Sequence, residues 1–402
     1  MTTASPILLA YSGGLDTSFC IPWLAAKHGR PIVTVNVDTG GLDAPAMADL
    51  EQRAKALGAL EHVQIDARQR FYDTTLRYLI AGNVRRGQLY PLCVGAERSV
   101  QAQVLAEVAA RQQADTVAHG CTAAGNDQVR FEVALRSINP ALTVLAPIRD
   151  ESFARDTQIA YLTERHLPLP PSGGQYSINR GLWGVTIGGQ ETLTSAGSLP
   201  ESAWVLSSGA VDKTGCAEHA VTFANGTPTA LDGEPMAAVA LIERLEAIGA
   251  EYAIGRGIHV GDTILGTKGR VAFEAPAAEL LLTAHRELEK LTLSAAQARV
   301  KESVALTYGD MVHEGMALDP ACRDIEALLD SSQAQVNGTV RLELRAGRVF
   351  VTGVDSPHSL LAASRGVYGE AAGEWSPSDA LGFSRIRALP GRLQQRAAGA
   401  SE

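Results

Sequence analysis

Long apolar runs are missing from this chain: no stretch of about 18 residues could span a bilayer as a helix, so a membrane-spanning segment is not expected. Basic clusters are missing too. The 35 Lys and Arg are outnumbered by 44 Asp and Glu, for a net charge of −9, and no Lys/Arg-dense run occurs. A nucleic-acid partner needs such a footprint, so none is expected. Cysteine is sparse and scattered (Cys20, Cys93, Cys121, Cys216, Cys322), with no C-x-x-C spacing. An odd, dispersed set argues against a disulfide framework and against a zinc site. The first residues run from Met1 through a few polar positions into Ile7-Leu8-Leu9-Ala10, too short for a signal peptide, and a cytoplasmic location is expected. No internal repeat is visible.

What remains is a chain of 402 residues, 46% hydrophobic and 20% charged, the composition of a soluble globular protein. Its length predicts two domains plus extra elements rather than one core. Short apolar runs at Ile7–Ala10, Ile32–Val37, His62–Ile65, Thr116–Ala118 and Thr143–Ala146 alternate with helical-period stretches. In one of these, Glu97–Gln112, Val100, Val104, Leu105 and Val108 share a face. Continuous apolar strands between helices imply an α/β domain with a doubly wound parallel sheet covered on both faces. Ligands of such sheets bind beyond the carboxyl ends of the strands, so the loops after Ala10, Val37 and Ala118 are the places to search. A Pro/Gly cluster at Leu167-Pro168-Leu169-Pro170-Pro171-Ser172-Gly173-Gly174 marks a boundary. Beyond it the pattern predicts irregular Gly-rich segments, a helix over Met236–Ile248, and an amphipathic stretch over Ala277–Leu293. A hairpin is predicted over Thr339–Val354, turning at Ala346-Gly347. The tail after Ser364 reads as flexible or as an oligomer arm. The division is 1–168, 169–363 and 364–402.

The loop after the first run is Ser12-Gly13-Gly14-Leu15-Asp16-Thr17-Ser18. Its glycines let backbone approach a ligand, and the free N–H groups and dipole of the helix that follows favour an anion. The hydroxyls of Ser12, Thr17 and Ser18 can add donors; Asp16 fits a phosphate site only if it holds Mg²⁺ or orients the loop. A plain strand–helix turn with a Ser/Thr cap accounts for S-G-G alone about as well. The loop lacks the lysine of G-x-x-x-x-G-K-[ST] and the G-x-G-x-x-G spacing of a dinucleotide fold. Without that lysine it suits pyrophosphate release, the ATP-pyrophosphatase (PP-loop) chemistry, better than γ-phosphoryl transfer.

Ala10-Tyr11-Ser12-Gly13-Gly14-Leu15-Asp16-Thr17-Ser18 resembles the nucleotide motif of argininosuccinate synthases. The resemblance continues at His119-Gly120-Cys121-Thr122-Ala123-Ala124-Gly125-Asn126-Asp127-Gln128-Val129-Arg130-Phe131-Glu132 and at Ala146-Pro147-Ile148-Arg149. It returns at Tyr176-Ser177-Ile178-Asn179-Arg180-Gly181-Leu182-Trp183-Gly184 and Gly338-Thr339-Val340-Arg341-Leu342. It implies a second, α+β synthetase domain, a C-terminal oligomerisation helix and a homotetramer. It also implies a carbon–nitrogen ligase in which ATP adenylates a ureido oxygen and L-aspartate then displaces AMP. Carried over by position, Ala10–Ser18 contact ATP, Val37 lies beside the adenine, and Gly120 lies near the ribose or phosphates. Thr122, Asn126 and Asp127 hold aspartate; Tyr90, Asn126, Arg130, Ser177 and Thr186 hold the ureido-type acceptor, citrulline or an analogue. No catalytic acid or base is assigned, and ATP and Mg²⁺ are the implied cofactors. Asn126 and Asp127 also suit a turn and helix cap, and Arg130 also suits a surface pair with Asp127 or Glu132.

The chain departs from the family's pattern mainly around the acceptor. Gly95 stands where the family supplies a hydroxyl, and Thr122-Ala123-Ala124-Gly125 lacks a lysine of the second nucleotide loop. Gly261-Asp262-Thr263 aligns with a Glu-Asn-Arg segment, leaving the ligand glutamate absent or shortened to Asp262, and Phe273 replaces a ligand tyrosine. Two further readings therefore stand beside citrulline ligation: a paralogue that couples aspartate to another acceptor, and a non-catalytic nucleotide-binding subunit. A tRNA-thiolating or amidotransferase enzyme would call for catalytic cysteines, a glutaminase domain or a basic surface, and Cys20, Cys93 and Cys121 read as small buried side chains.

Overall fold

The computed structural model describes residues 4–170 and 175–399, so part of the Pro/Gly interruption, residues 171–174, lies outside the described residues. The first domain is built on β1 (Ile7–Ala10), β2 (Ile32–Asp38), β3 (Glu61–Asp66), β4 (Thr116–Ala118) and β5 (Thr143–Leu145). They pair in the order β3-β2-β1-β4-β5, every pair parallel. Ile7, Leu8, Leu9, Ile32, Val33 and Val117 are all buried, without alternation, because helices cover both faces. The helix Arg98–Arg111 buries the four residues whose spacing predicted its face, Val100, Val104, Leu105 and Val108. The chain runs outward from β1 to β2 and β3, then returns to β4 on the other side of β1. That reversal opens a crevice at the carboxyl ends of β1 and β4.

The second part carries β6 (Ser177–Gly181), β7 (Gly184–Gly188), β8 (Ala217–Ala224), β9 (Thr227–Leu231), β10 (Glu234–Pro235), β11 (Arg256–Asp262), β12 (Lys268–Glu274), β13 (Gly338–Arg345) and β14 (Arg348–Asp355). They form two antiparallel sheets, β11-β12-β7-β6 and β10-β9-β8-β13-β14. The stretch expected to be irregular thus contains five strands, β6 to β10. Four of them are five residues or fewer, and β8, though eight long, alternates only around Val221-Thr222-Phe223, so the period-2 signal is too short to read. The helices fall at Ala238–Ala250 and Pro276–Thr292, within two residues of expectation. The hairpin turns where predicted: Arg345 pairs with Arg348, and Gly347 takes φ +70°.

One turn locks the two parts together. Between β6 and β7, Leu182 donates its N–H to the Thr39 carbonyl at 2.9 Å, and the buried Trp183 indole donates to the Pro91 carbonyl at 2.9 Å. The close approach requires Gly40, at φ +104°, where a Cβ would sit 2.5 Å from the Leu182 nitrogen. This docking carries the β6–β7 hairpin over the crevice. The tail expected to be flexible or an arm forms two helices, Pro377–Arg387 and Leu389–Ala397, with no buried residue in either.

Candidate active site

A cavity of about 640 Å³ opens where the β1 and β4 loops meet the β6–β7 and β11–β12 hairpins. Its phosphate end is built by local chain geometry. The helix Leu15–His28 starts from Gly14 in an extended conformation with no side-chain cap, so its first N–H groups remain available to a ligand. Ala10, Tyr11, Ser12, Gly14, Asp16 and Thr17 line the cavity there. Gly13 adopts φ +76° with Leu50 packed where a Cβ would point, so it shapes the loop from behind. Leu15 and Ser18 are buried behind the loop, Ser18 with no exposed surface. The hydroxyls of Ser12 and Thr17 lie 3.2 Å apart on the open side. Asp16 is an orienting residue here: its Oδ1 accepts from Nε2 of the buried Gln158 at 2.9 Å. Val37 and Gly120 complete this end. A Cβ on Gly120 would come within 2.9 Å of Thr17 Cγ2 and 3.2 Å of Thr17 N, so glycine permits the β4 loop to touch the start of the helix.

The middle of the cavity is set by the helix Asp127–Ile138. Asp127 receives Arg98 Nε on one oxygen at 2.9 Å and Arg130 on the other at 2.6 Å. The paired guanidiniums, Arg98 first, hold its carboxyl down to about 2 against the effect of burial. Asn126 accepts from the Ile264 N–H at 2.9 Å, which ties the β11–β12 loop to this helix. Thr122 is exposed in the loop between them. Arg130 is no surface arginine: it is 6% exposed and also donates to the His313 carbonyl at 2.7 Å.

The acceptor end gathers Tyr90, Arg130, Ser177 and Thr186, as the resemblance implied, but their polar atoms are deployed differently. The Tyr90 hydroxyl turns inward to the Cys93 carbonyl at 2.5 Å, presenting its ring instead. His259 stacks on that ring at 5.4 Å and 16°, and Phe273 stands behind it, edge-on at 5.2 Å. The missing hydroxyl at Gly95 has a steric reason, since a Cβ there would lie 3.1–3.2 Å from the Arg130 guanidinium. Asp262 does not stand in for a glutamate: its carboxylate pairs with Lys268 at 2.5 Å, and only its carbonyl serves the site, accepting from Arg86 at 2.8 Å. Arg86, Arg98, His259 and His313 escaped the sequence reading. Each comes from a different element, and none belongs to a local motif that could have announced it.

Two histidines of the wall are neutral at pH 7. Burial, then the neighbouring arginines, lowers His119 to about 4 and His313 to about 3. Burial pushes the Cys20 and Cys93 thiols well up and Cys121 to about 12, so none is a thiolate nucleophile. Beside the site, burial raises Glu97 from 4.5 to about 7, although Arg98 donates to it at 2.8 Å. A carboxyl raised on folding binds its proton more tightly in the folded state, so its share of stability is full below pH 4.5 and fades as pH rises through 7. Glu97→Gln should remove that loss. Denaturation at pH 5 and pH 8 should show wild type losing up to about 3 kcal/mol relative to the variant; parallel pH profiles would contradict this.

Among the described residues no group of three His, Cys, Asp or Glu could hold a metal ion, and no helix is long and apolar enough to cross a membrane. Family models match most of the chain: the arginosuccinate synthase N-terminal HUP domain over residues 6–168 and the arginosuccinate synthase C-terminal domain over 176–394. The chain is 38% identical to the argininosuccinate synthase of Methanocaldococcus jannaschii over 354 residues, 88% of this chain and 89% of that one. It is 38% identical to that of Xanthomonas campestris over 404 residues, covering 97% and 98%. It is 35% identical to that of Dehalococcoides mccartyi over 394 residues, covering 96% and 95%.

Proposed function

The chain belongs to the argininosuccinate synthase family, an ATP-dependent ligase of citrulline and aspartate that releases AMP and pyrophosphate, and from this we infer how its residues divide the work. The observation that carries the assignment is the single cavity joining the uncapped helix start at Gly14 to Asn126, Asp127 and Arg130. ATP places its phosphates on the first N–H groups of Leu15–His28 and on the hydroxyls of Ser12 and Thr17, with Val37 beside the adenine and Gly120 near the ribose. Asp16, the carboxylate lining the phosphate end, would help to hold a Mg²⁺ ion brought by ATP, which would supply neutralisation of phosphate charge.

A ureido oxygen is a poor leaving group, and adenylation makes it a good one. The neutral His119 and His313 and the paired Asp127 offer no proton donor near pH 7, so the chain's part is positioning and charge stabilisation. The helix start stabilises pyrophosphate as it leaves. Thr122, Asn126 and Asp127 hold aspartate, its ammonium towards Asp127. Tyr90, Asn126, Arg130, Ser177 and Thr186 face the acceptor. Neither the reading with a different acceptor nor the non-catalytic one is favoured by these relatives.

We assign residues 1–168 to nucleotide binding, 169–363 to the synthetase part and 364–402 to an arm that assembles a cytoplasmic homotetramer. The exposed Phe383, Ile386, Leu389 and Leu393 on its two helices support that arm. Steady-state pyrophosphate release should require ATP, citrulline and aspartate together, and ¹⁸O placed in the ureido group should end in AMP. Label retained in the product, or repeated turnovers of pyrophosphate release without aspartate, would overturn the reading. Light scattering at the mass of one chain would overturn the tetramer.

A further inference from the structure

The acceptor end of the cavity holds more cationic donors than its own partners can satisfy. Arg86 Nη1 lies 2.7 Å from Nε2 of His313, and Arg130 Nη2 lies 3.1 Å from Nδ1 of the same ring. A guanidinium only donates, and a neutral imidazole offers one lone pair. Only one of these contacts is therefore a hydrogen bond; in the other, two N–H groups face each other. An anion set between the two arginines removes the conflict by accepting the displaced N–H.

An ammonium, by contrast, finds no uncommitted carboxylate among the described residues at this end. The carboxylates among the described residues of the cavity wall are Asp16, Asp127 and Asp262. Asp16 lies at the phosphate end and is bound by Gln158. Asp127 accepts from Arg98 and Arg130 and, in the ligase reading, its remaining capacity is taken by the ammonium of aspartate. Asp262 pairs with Lys268 across the β11–β12 ladder. Gly261, which presents no side chain, is covered by the His259 ring: a Cβ there would run into Nε2. That ring nitrogen is buried without a partner. Where the acceptor's amino-acid head would rest, the wall thus offers two guanidiniums, two imidazoles, a tyrosine ring and the neutral side chains of Ser177 and Thr186, but among the described residues no uncommitted carboxylate.

We propose that the acceptor's amino-acid head is held chiefly by its carboxylate, set between Arg86 and Arg130, and that ureido carboxylic acids lacking an α-amino group are substrates alongside citrulline. This rests on the ligase reading above. The reacting end is unchanged by the missing amine. The ureido oxygen bonds to the α-phosphorus of ATP as the bond to pyrophosphate breaks. The aspartate nitrogen then bonds to the ureido carbon, losing its proton to solvent, as the carbon–oxygen bond to AMP breaks.

The test measures pyrophosphate release by the full chain with ATP, Mg²⁺, aspartate and three acceptors in turn. These are citrulline, 5-ureidopentanoate (citrulline without its α-amino group) and citrullinamide, whose carboxylate is masked. The expected kcat/KM for 5-ureidopentanoate lies within about tenfold of that for citrulline, and citrullinamide falls about 100-fold or more below both. Arg86→Met should raise KM for both carboxylate acceptors by about 10- to 100-fold while KM for ATP stays unchanged. A structural role alone would not separate the two KM values. A kcat/KM for 5-ureidopentanoate more than about 100-fold below that of active citrulline would overturn the proposal, as would an Arg86 variant with unchanged acceptor KM. No release with any acceptor would overturn the ligase reading itself.

Discussion

Turnover of an Asp127→Asn variant is expected to fall by about 1000-fold or more, with a clear loss of stability. The two effects share one cause. Asp127 neutralises two guanidiniums at once, and their side chains are only 11% and 8% exposed. Asparagine keeps the shape and removes the charge, leaving Arg98 and Arg130 buried against each other's field. Breaking a buried pair from one side costs about 3–5 kcal/mol. The substrate ammonium loses its counter-charge in the same step, and misplacement of bound groups by about 1 Å can cost a further 100-fold. Thermal unfolding and steady-state assay below the lowered Tm separate the effects. A folded variant retaining more than a tenth of wild-type kcat would remove Asp127 from the aspartate site.

The second large effect is expected at Gly120→Val, through geometry rather than charge. The added atoms would have to enter a space 2.9 Å from Thr17 Cγ2 and 3.3 Å from the Asp16 carbonyl carbon. The Asp16–Thr17 peptide backbone lies against that space, so the β4 loop and the start of Leu15–His28 must part. The phosphate-binding N–H groups then lose their register with the ribose end of the cavity. A fall of about 100-fold in kcat/KM for ATP is expected, with a smaller change in KM for aspartate. The parallel sheet itself is spared, since Gly120 lies beyond β4. Equal losses for ATP and aspartate, or wild-type ATP kinetics, would contradict this account.

The departures from the family pattern look different once placed in the fold. Gly95 leaves room for the Arg130 guanidinium, and Phe273 stands behind Tyr90 rather than facing the acceptor. Read as a sequence, each is a lost hydroxyl; in the cavity, one is an accommodated arginine and the other a packing residue. The place of a carboxylate at Gly261 is taken by the His259 ring. The basic groups that replace it arrive from distant elements: Arg86 follows the first helical segments, and His313 ends the helix Ala295–His313.

Local chemistry is what the sequence determined by itself. The parallel sheet was legible because β1, β2 and β4 are buried on both faces, which demands unbroken apolar runs. The phosphate loop was legible because glycines, hydroxyls and a helix start must be contiguous to act. Helices with a single buried face declared themselves by period, within two residues. The strands from β6 to β10 did not, since four are five residues or fewer and the eight-residue β8 alternates only near its end, too little to register. The state of each site residue also stayed hidden. Only tertiary packing decided that the Tyr90 hydroxyl would turn inward, that Asp127 would be claimed by two arginines, and that Arg86 and Arg130 would meet over one imidazole. The last joins residues 227 and 183 apart in the chain; the nearer pairs depend on loop and rotamer geometry, set by packing, that sequence spacing leaves open.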